Sequence, residues 1–374
     1  MLYLYILLVF FLLSLILYLI WLIKFKGKKT KHVGAEFISA LGGDPPPLAG
    51  DFAKLNKLHP YILVYHKVDD SFEWGITRQK TRQFENQMKY LFENGYKSIS
   101  LEDAFLQQLA EDSATRNKLP AEQIIVGARC TVPLPKKDLP SSNPPDTEPI
   151  VTDKRVVITF DDGYESVYKF TFPILQKYGF VASVFVITGY VGKFNDWDVT
   201  WGKRFRHLSW EQIQELAKYG FTFGSHTVNH PDLTKLDSKS LKYELSYSKR
   251  TLEDKIGKRV LFLSYPFGKY NTKVQEMAKK TGYERAYTIF ASGGSHQEPG
   301  DSFSDDQIVG AYCNTPLLDL NPFALERIGM YLLDSALTTH IKLNNGRLFW
   351  IEDMKGRIIN KFSTGTVLAK PKAG

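Results

Sequence analysis

Val156-Val157-Ile158-Thr159-Phe160-Asp161-Asp162-Gly163 decides how this chain is read. An uncharged run of five residues, four of them β-branched, passes directly into two carboxylates and a glycine. A continuous apolar run of that length fits a strand buried on both faces, which is the habit of parallel sheets covered by helices. Asp-Asp-Gly alone is an ordinary turn sequence. Its place at the C-terminal end of a buried strand gives it a second meaning, because sites in barrels and open α/β sheets are built at that edge.

Working outward, the same grammar repeats. Strands are expected at 61–65, 97–100, 181–187, 221–224, 260–265, 285–289 and 326–331. Helices are expected between them, at 79–94 ended by Gly95, at 209–219 opened by Ser209, and at 238–256 ended by Gly257. Alternating strands and helices from 61 to 331 predict an α/β fold with a parallel sheet or barrel. Residues 112–155, rich in Pro, Lys, Asp and Ser, read as a surface insertion, and 291–306 as a second polar loop.

The ends of the chain have a different character. Residues 2–23 carry no charge and no proline. As a helix they would span about 33 Å, enough for a bilayer core. No small-residue cleavage site follows directly, so a retained single-pass anchor over residues 1–24 is expected rather than a cleaved leader. Lys24, Lys26, Lys28, Lys29 and Lys31 follow it and hold much of the formal net charge of +8. Such a cluster suits anionic lipid head groups. It also places the rest of the chain in the cytoplasm by the positive-inside rule. A basic segment and linker (25–58), a main domain (59–335) and a C-terminal extension (336–374) complete the expected organisation. No aromatic–basic recognition motif is present, so nucleic acid is not expected as a partner. The two cysteines, Cys130 and Cys313, make neither a disulfide scaffold nor a metal site by spacing.

Polar groups gather at strand ends. Strand 221–224 runs into Ser225-His226-Thr227-Val228-Asn229-His230-Pro231, strand 61–65 into His66, and strand 260–265 into Pro266-Phe267-Gly268. Two histidines four apart and one carboxylate make a three-ligand metal site that leaves positions open for water and substrate. Zinc is the default occupant, and iron, cobalt or nickel accept the same donors. Neighbouring carboxylates on a strand-end turn point in different directions. One can bind a metal while the other takes a proton from the water that the metal acidifies.

Thr159-Phe160-Asp161-Asp162-Gly163 and Ser225-His226-Thr227-x-x-His230-Pro231 together resemble the first two signatures of the NodB-homology polysaccharide deacetylases (carbohydrate esterase family four). Leu263-Ser264-Tyr265-Pro266-Phe267-Gly268 is similar to the third. The resemblance covers about residues 60–335 outside the insertions. It implies a distorted (β/α) barrel that removes acetyl groups from N-acetylhexosamines in a polysaccharide. It implies Asp161 as general base and Asp162, His226 and His230 as metal ligands. Ser225, Thr227 and Pro266 would support them, and the Phe267 N–H would face the oxyanion. The third-motif arginine that orients the base in many relatives is not found at its expected place. The late Leu-x-x-His acid is missing too, since Leu325-Glu326-Arg327-Ile328-Gly329-Met330 has no histidine. Leu63-Val64-Tyr65-His66-Lys67-Val68 instead resembles the N-terminal segment of the circularly permuted poly-N-acetylglucosamine deacetylases of biofilm exopolysaccharide, which implies His66 as general acid. Family habit would put the domain outside the cytoplasm, against the lysine cluster. A lipid-linked amino sugar, peptidoglycan, or a silent carbohydrate-binding role are the competing expectations. His296 and His340 are expected to be bystanders.

Overall fold

The computed structural model describes residues 60–72, 77–116, 154–196, 204–289 and 321–344. The expected membrane segment, the lysine cluster, the linker, residues 117–153 of the expected insertion, the loop 291–306 and the end of the chain lie outside these. Among the described residues no helix is long and apolar enough to cross a membrane.

The chain enters as β1 (Tyr61–Tyr65), two short strands β2 (Lys67–Val68) and β3 (Arg78–Gln79), helix α1 (Thr81–Glu93), β4 (Tyr96–Ser98) and α2 (Leu101–Arg116). It continues through β5 (Lys154–Phe160), α3 (Phe172–Lys177), β6 (Ser183–Val186), α4 (Trp210–Lys218), β7 (Thr222–Ser225) and α5 (Ser238–Ile256). It ends with β8 (Phe262–Ser264), α6 (Thr272–Thr281), β9 (Arg285–Ile289), β10 (Leu325–Gly329) and α7 (Ala336–Asn344). The helices start and stop where local chemistry asks. Ser209 and Gln212 form a reciprocal capping box on α4. The Asp237 carboxylate accepts from the N–H groups of Lys239 and Ser240 at the head of α5, and Gly257 (φ 68°) closes it.

Seven strands close on themselves in the order β1-β10-β9-β8-β7-β6-β5, with β5 returning to β1 and every pairing parallel. The expected barrel is therefore present. It is distorted because β5 shares one edge. Its first residues pair with β4 and its last with β6 (Thr159↔Ser183). Ser98 and Ser183 stitch this split. Val181 N–H donates to Ser98 Oγ (2.7 Å) and Leu101 N–H to Ser183 Oγ (3.1 Å).

Side chains alternate between two cores, as a strand's two-residue period requires. Val156, Ile158 and Phe160 of β5, Val184 and Val186 of β6 and Leu263 of β8 pack outward against the helices. Val157, Phe185, Phe262 and Tyr287 pack together inside the barrel, where Leu101 and Phe105 of α2 join them. α2 thus plugs the end at which the strands begin. The inner positions that follow toward the other end are polar: Thr159, Asp161, His226, Ser264 and Arg327, all buried. An apolar plug below and a polar layer above is what places the site.

Candidate active site

Parallel register brings the strand ends to one level. Tyr65 of β1 pairs with Phe160 of β5, and the Asp161 N–H donates to the Tyr65 carbonyl (2.9 Å), so His66 and Asp161 leave the barrel side by side. Ser225 of β7 pairs with Val186 of β6 and with Leu263 of β8, which sets His226 next to Ser264.

Asp162, His226 and His230 converge and are all buried. Asp162 Oδ1 lies 3.4 Å from His226 Nε2 and 3.6 Å from His230 Nε2, and the two Nε2 atoms are 3.2 Å apart. Three donors at about 2.0–2.1 Å from one ion in tetrahedral array would be separated by about 3.3 Å, so this triangle fits a divalent metal without rearrangement. The tautomer also fits. His226 Nδ1 faces the Ser264 carbonyl at 2.8 Å, so that nitrogen carries the proton and the Nε2 lone pair points into the triangle.

Backbone strain collects at the same place. Among the described residues only four non-glycine residues have left-handed backbone: Asp162 (φ 69°), Thr227 (φ 70°), His230 (φ 57°) and Phe267 (φ 58°). Each costs about 1–2 kcal/mol, a cost retained where it aims side chains at a site. Local hydrogen bonds hold the bend. Ser225 Oγ accepts from the Thr227 N–H (3.1 Å) and Thr227 Oγ1 from the His230 N–H (3.0 Å). Ser225 and Thr227 thus cap the loop that carries His226 and His230. Pro266 opens a buried 3-10 turn, Pro266–Gly268, which sets the Phe267 ring edge-on to His230 at 4.6 Å.

Asp161 is held apart from the triangle. Arg327 grips it with two parallel bonds, Nη1 to Oδ1 and Nη2 to Oδ2, both 2.7 Å, and Ser264 Oγ donates to Oδ2 at 3.0 Å. Arg327 also reaches Ser264 Oγ (2.7 Å), Thr159 Oγ1 (3.3 Å) and the Thr288 carbonyl (3.3 Å). It is the largest fully buried side chain among the described residues. The third motif indeed lacks the arginine, and the structure shows which residue holds Asp161 instead. It is Arg327, on β10 rather than in the third motif. Ser264 of the third motif meets that guanidinium through its hydroxyl. The sequence signal was a lone arginine inside the strand Leu325-Glu326-Arg327-Ile328-Gly329.

The charges follow from these contacts. Burial pushes the Asp161 carboxyl up, but Arg327 and His226 outweigh it and hold the carboxyl below its ordinary value. Asp162 is also raised by burial, and its bond to His226 with the neighbouring histidines brings it well below the usual carboxylate range. Burial and the neighbouring His226 depress His230 to about 3. For His226, burial pulls down, but Asp161 and Asp162 prevail and the group is raised. Burial lowers His66 against the pull of Asp162 and Asp161, and its Nδ1 has no hydrogen-bond partner among the described residues.

A residue not singled out in the sequence also belongs here. His207 is buried, stacks on Tyr164 (4.7 Å between ring centres) and contacts the Asp162 carbonyl through Nδ1 at 2.9 Å. The expected bystander His340 bonds Tyr90 through Nδ1 at 2.6 Å, on α7 against α1.

A family model described as polysaccharide deacetylase matches residues 149–286. YxkH of Bacillus subtilis, named by inference as a polysaccharide deacetylase, is 29% identical over 244 residues, 65% of this chain and 66% of that protein. A poly-β-1,6-N-acetyl-D-glucosamine N-deacetylase of Staphylococcus aureus is 30% identical over 147 residues, 36% of this chain and 48% of that enzyme. The chain thus spans just under two thirds of one of these relatives and about half of the other. Among solved structures, the Streptococcus pyogenes deacetylase PplD in complex with acetate superimposes with a TM-score of 0.50 at 21% identity, over 76% of this chain and 97% of that one. At that identity it shows the fold alone, which agrees with the barrel found here. Over residues 149–286, which hold Asp161, Asp162, His226 and His230, the chain is thus similar to the polysaccharide deacetylases.

Proposed function

We propose that the protein is a metal-dependent de-N-acetylase of N-acetylhexosamine residues in a polysaccharide of the poly-N-acetylglucosamine kind, releasing acetate. The observation that carries the reading is the pairing of a ready metal triangle (Asp162, His226, His230) with a separate, arginine-held carboxylate beside it. A divalent cation bound there, zinc by default, supplies an acidified water and polarises the acetamide carbonyl. The chain's residues do the rest. Asp161, ionised and fixed by Arg327 and Ser264, takes the proton of the attacking water. The left-handed turn at Phe267 offers its N–H to the oxyanion. His66, at the end of β1 beside Asp161, gives a proton to the departing amine.

The staphylococcal relative's substrate and the strand-end histidine His66 together support the poly-N-acetylglucosamine branch. Residues 2–23 would anchor the protein in a membrane as a single pass. The lysines that follow favour a second reading, a lipid-linked amino sugar at the cytoplasmic face. Acetate release by the full-length chain decides between substrates on a panel of poly-N-acetylglucosamine, chitin oligomers, peptidoglycan fragments and a lipid-linked amino sugar. Release from the first, abolished by chelator and restored by metal, is expected. Release from the lipid-linked sugar alone would replace the substrate. Bound metal with no release from any of the four would point to a silent carbohydrate-binding protein.

A further inference from the structure

Helix α5 reaches the metal loop from outside the barrel with two side chains one turn apart. Glu244 is 6% exposed. Its Oε2 accepts from the backbone N–H groups of Val228 (2.8 Å) and Asn229 (3.0 Å), and its Oε1 accepts from Asn229 Nδ2 (2.8 Å). Ser248 Oγ lies 2.8 Å from Ser225 Oγ at the start of the same loop. The nearby cation Lys249 is bound to Glu253 instead (2.8 Å). Neutral N–H donors therefore satisfy the buried Glu244 carboxylate, and they all belong to the stretch between His226 and His230.

That stretch contains the left-handed residue Thr227 and ends on the left-handed ligand His230. Ser225 and Thr227 brace its two ends from within, and the peptides at 228 and 229 between them give their N–H groups to Glu244 of α5. A carboxylate accepts all three donors, whereas an amide keeps the two backbone N–H groups on its one oxygen at reduced charge and sets its NH₂ against the NH₂ of Asn229.

We propose that Glu244 is a positioning residue for the metal: it fixes the peptides of Val228 and Asn229 so that His226 and His230 hold their nitrogens at coordination spacing. Ser248 secures the loop's other end. The inference rests on the metal reading of Asp162, His226 and His230. Outer partners that orient ligands typically contribute about 10- to 100-fold in metal affinity.

The test titrates the metal-free full-length chain with zinc against a chromophoric chelator, for wild type, Glu244→Gln and Asn229→Ala. Glu244→Gln is expected to weaken zinc binding about 10- to 100-fold. Asn229→Ala, which removes only one of the three donors, is expected to weaken it less. Metal-free Glu244→Gln should still melt cooperatively, and saturating zinc should return most of its acetate release, which loss of a merely structural contact would not do. Equal affinity in wild type and Glu244→Gln overturns the proposal while leaving the metal reading intact. A metal-free Glu244→Gln with no cooperative melting overturns it as well, since the residue would then serve the fold. A wild type that takes up no zinc overturns the metal reading itself, and this inference with it.

Discussion

Asp161 and Asp162 are neighbours in sequence and opposites in surroundings. Asp162 faces two imidazoles, whereas Asp161 faces a guanidinium and a hydroxyl. Replacement of Asp161 by Asn keeps the side-chain shape and leaves the triangle untouched. It is expected to retain stoichiometric metal and to lower acetate release by about 10²- to 10⁴-fold. Metal analysis beside a rate assay checks this, and wild-type-like release would remove Asp161 from the role of base. Arg327 acts on the same carboxylate. Because the guanidinium holds the Asp161 carboxyl below its ordinary value, the Arg327→Met variant raises it. As the proposed base, Asp161 works only when ionised, so the acid limb of the pH–rate profile is expected to move to higher pH. The variant should also lose about 3–5 kcal/mol of stability, the usual result of leaving a buried charge unpaired. These two residues mark how far the sequence could be read. Asp161, Asp162, His226 and His230 lie in two short contiguous motifs, each on one strand-end turn, and so were legible. Arg327 lies 166 positions from its partner Asp161. Only the closure of the barrel through β10 joins them, and periodicity within a window carries no record of that.

At the scale of elements, strand positions were legible to within a few residues because buried parallel strands are continuous apolar runs. Which face of each strand lines the barrel was not, since such runs lack alternation. Gly224 shows what the inner face demands. A Cβ there would lie 2.5 Å from the Phe185 ring and 3.0 Å from the Phe262 carbonyl. The glycine lets an aromatic plug sit directly below His226, and Phe185 in turn packs against the Arg327 guanidinium at 5.0 Å. Gly224→Ala should therefore cost about 1–3 kcal/mol by overpacking, read as a lower thermal midpoint. Phe185→Leu in the same chain should recover part of that loss, a coupling expected of residues in contact. Additive losses in the double variant would mean that the clash is relieved elsewhere. Helix α2 escaped the sequence reading for a related reason. Among its described side chains, Leu101 and Phe105 of the first turns enter the inner core, and the sequence beyond them carries no long apolar stripe.

In the proposed reading, the whole molecule joins fold and site through a metal. The three candidate ligands follow β5 and β7, so an ion bound there would tie two strands of the barrel together and stabilise the folded form by mass action. At a hundredfold excess over its dissociation constant the gain is about 2.7 kcal/mol, or about 5–10 °C in melting midpoint for a domain of this size. Chelation should remove that increment. The increment should also depend on pH, with a sign the geometry fixes. A metal competes with protons for its ligands. Asp162 and His230 are lowered, His230 to about 3, so near neutral pH they are already proton-free and release nothing. His226 is raised above the ordinary histidine value, so it is the ligand that loses a proton when metal binds. Its raised value stabilises the metal-free fold below about pH 6.5. That contribution disappears as pH rises through the folded value, and over the same interval metal binding strengthens because the competing proton has gone. The gap in melting midpoint between metal-loaded and metal-free protein should thus widen as pH is raised. Calorimetric titration in buffers of different ionisation enthalpy should find more than half a proton, and no more than one, released per metal at about pH 6. Release of two protons would show that His230 is also charged in the metal-free site, and release of none would remove His226 from the ligand set.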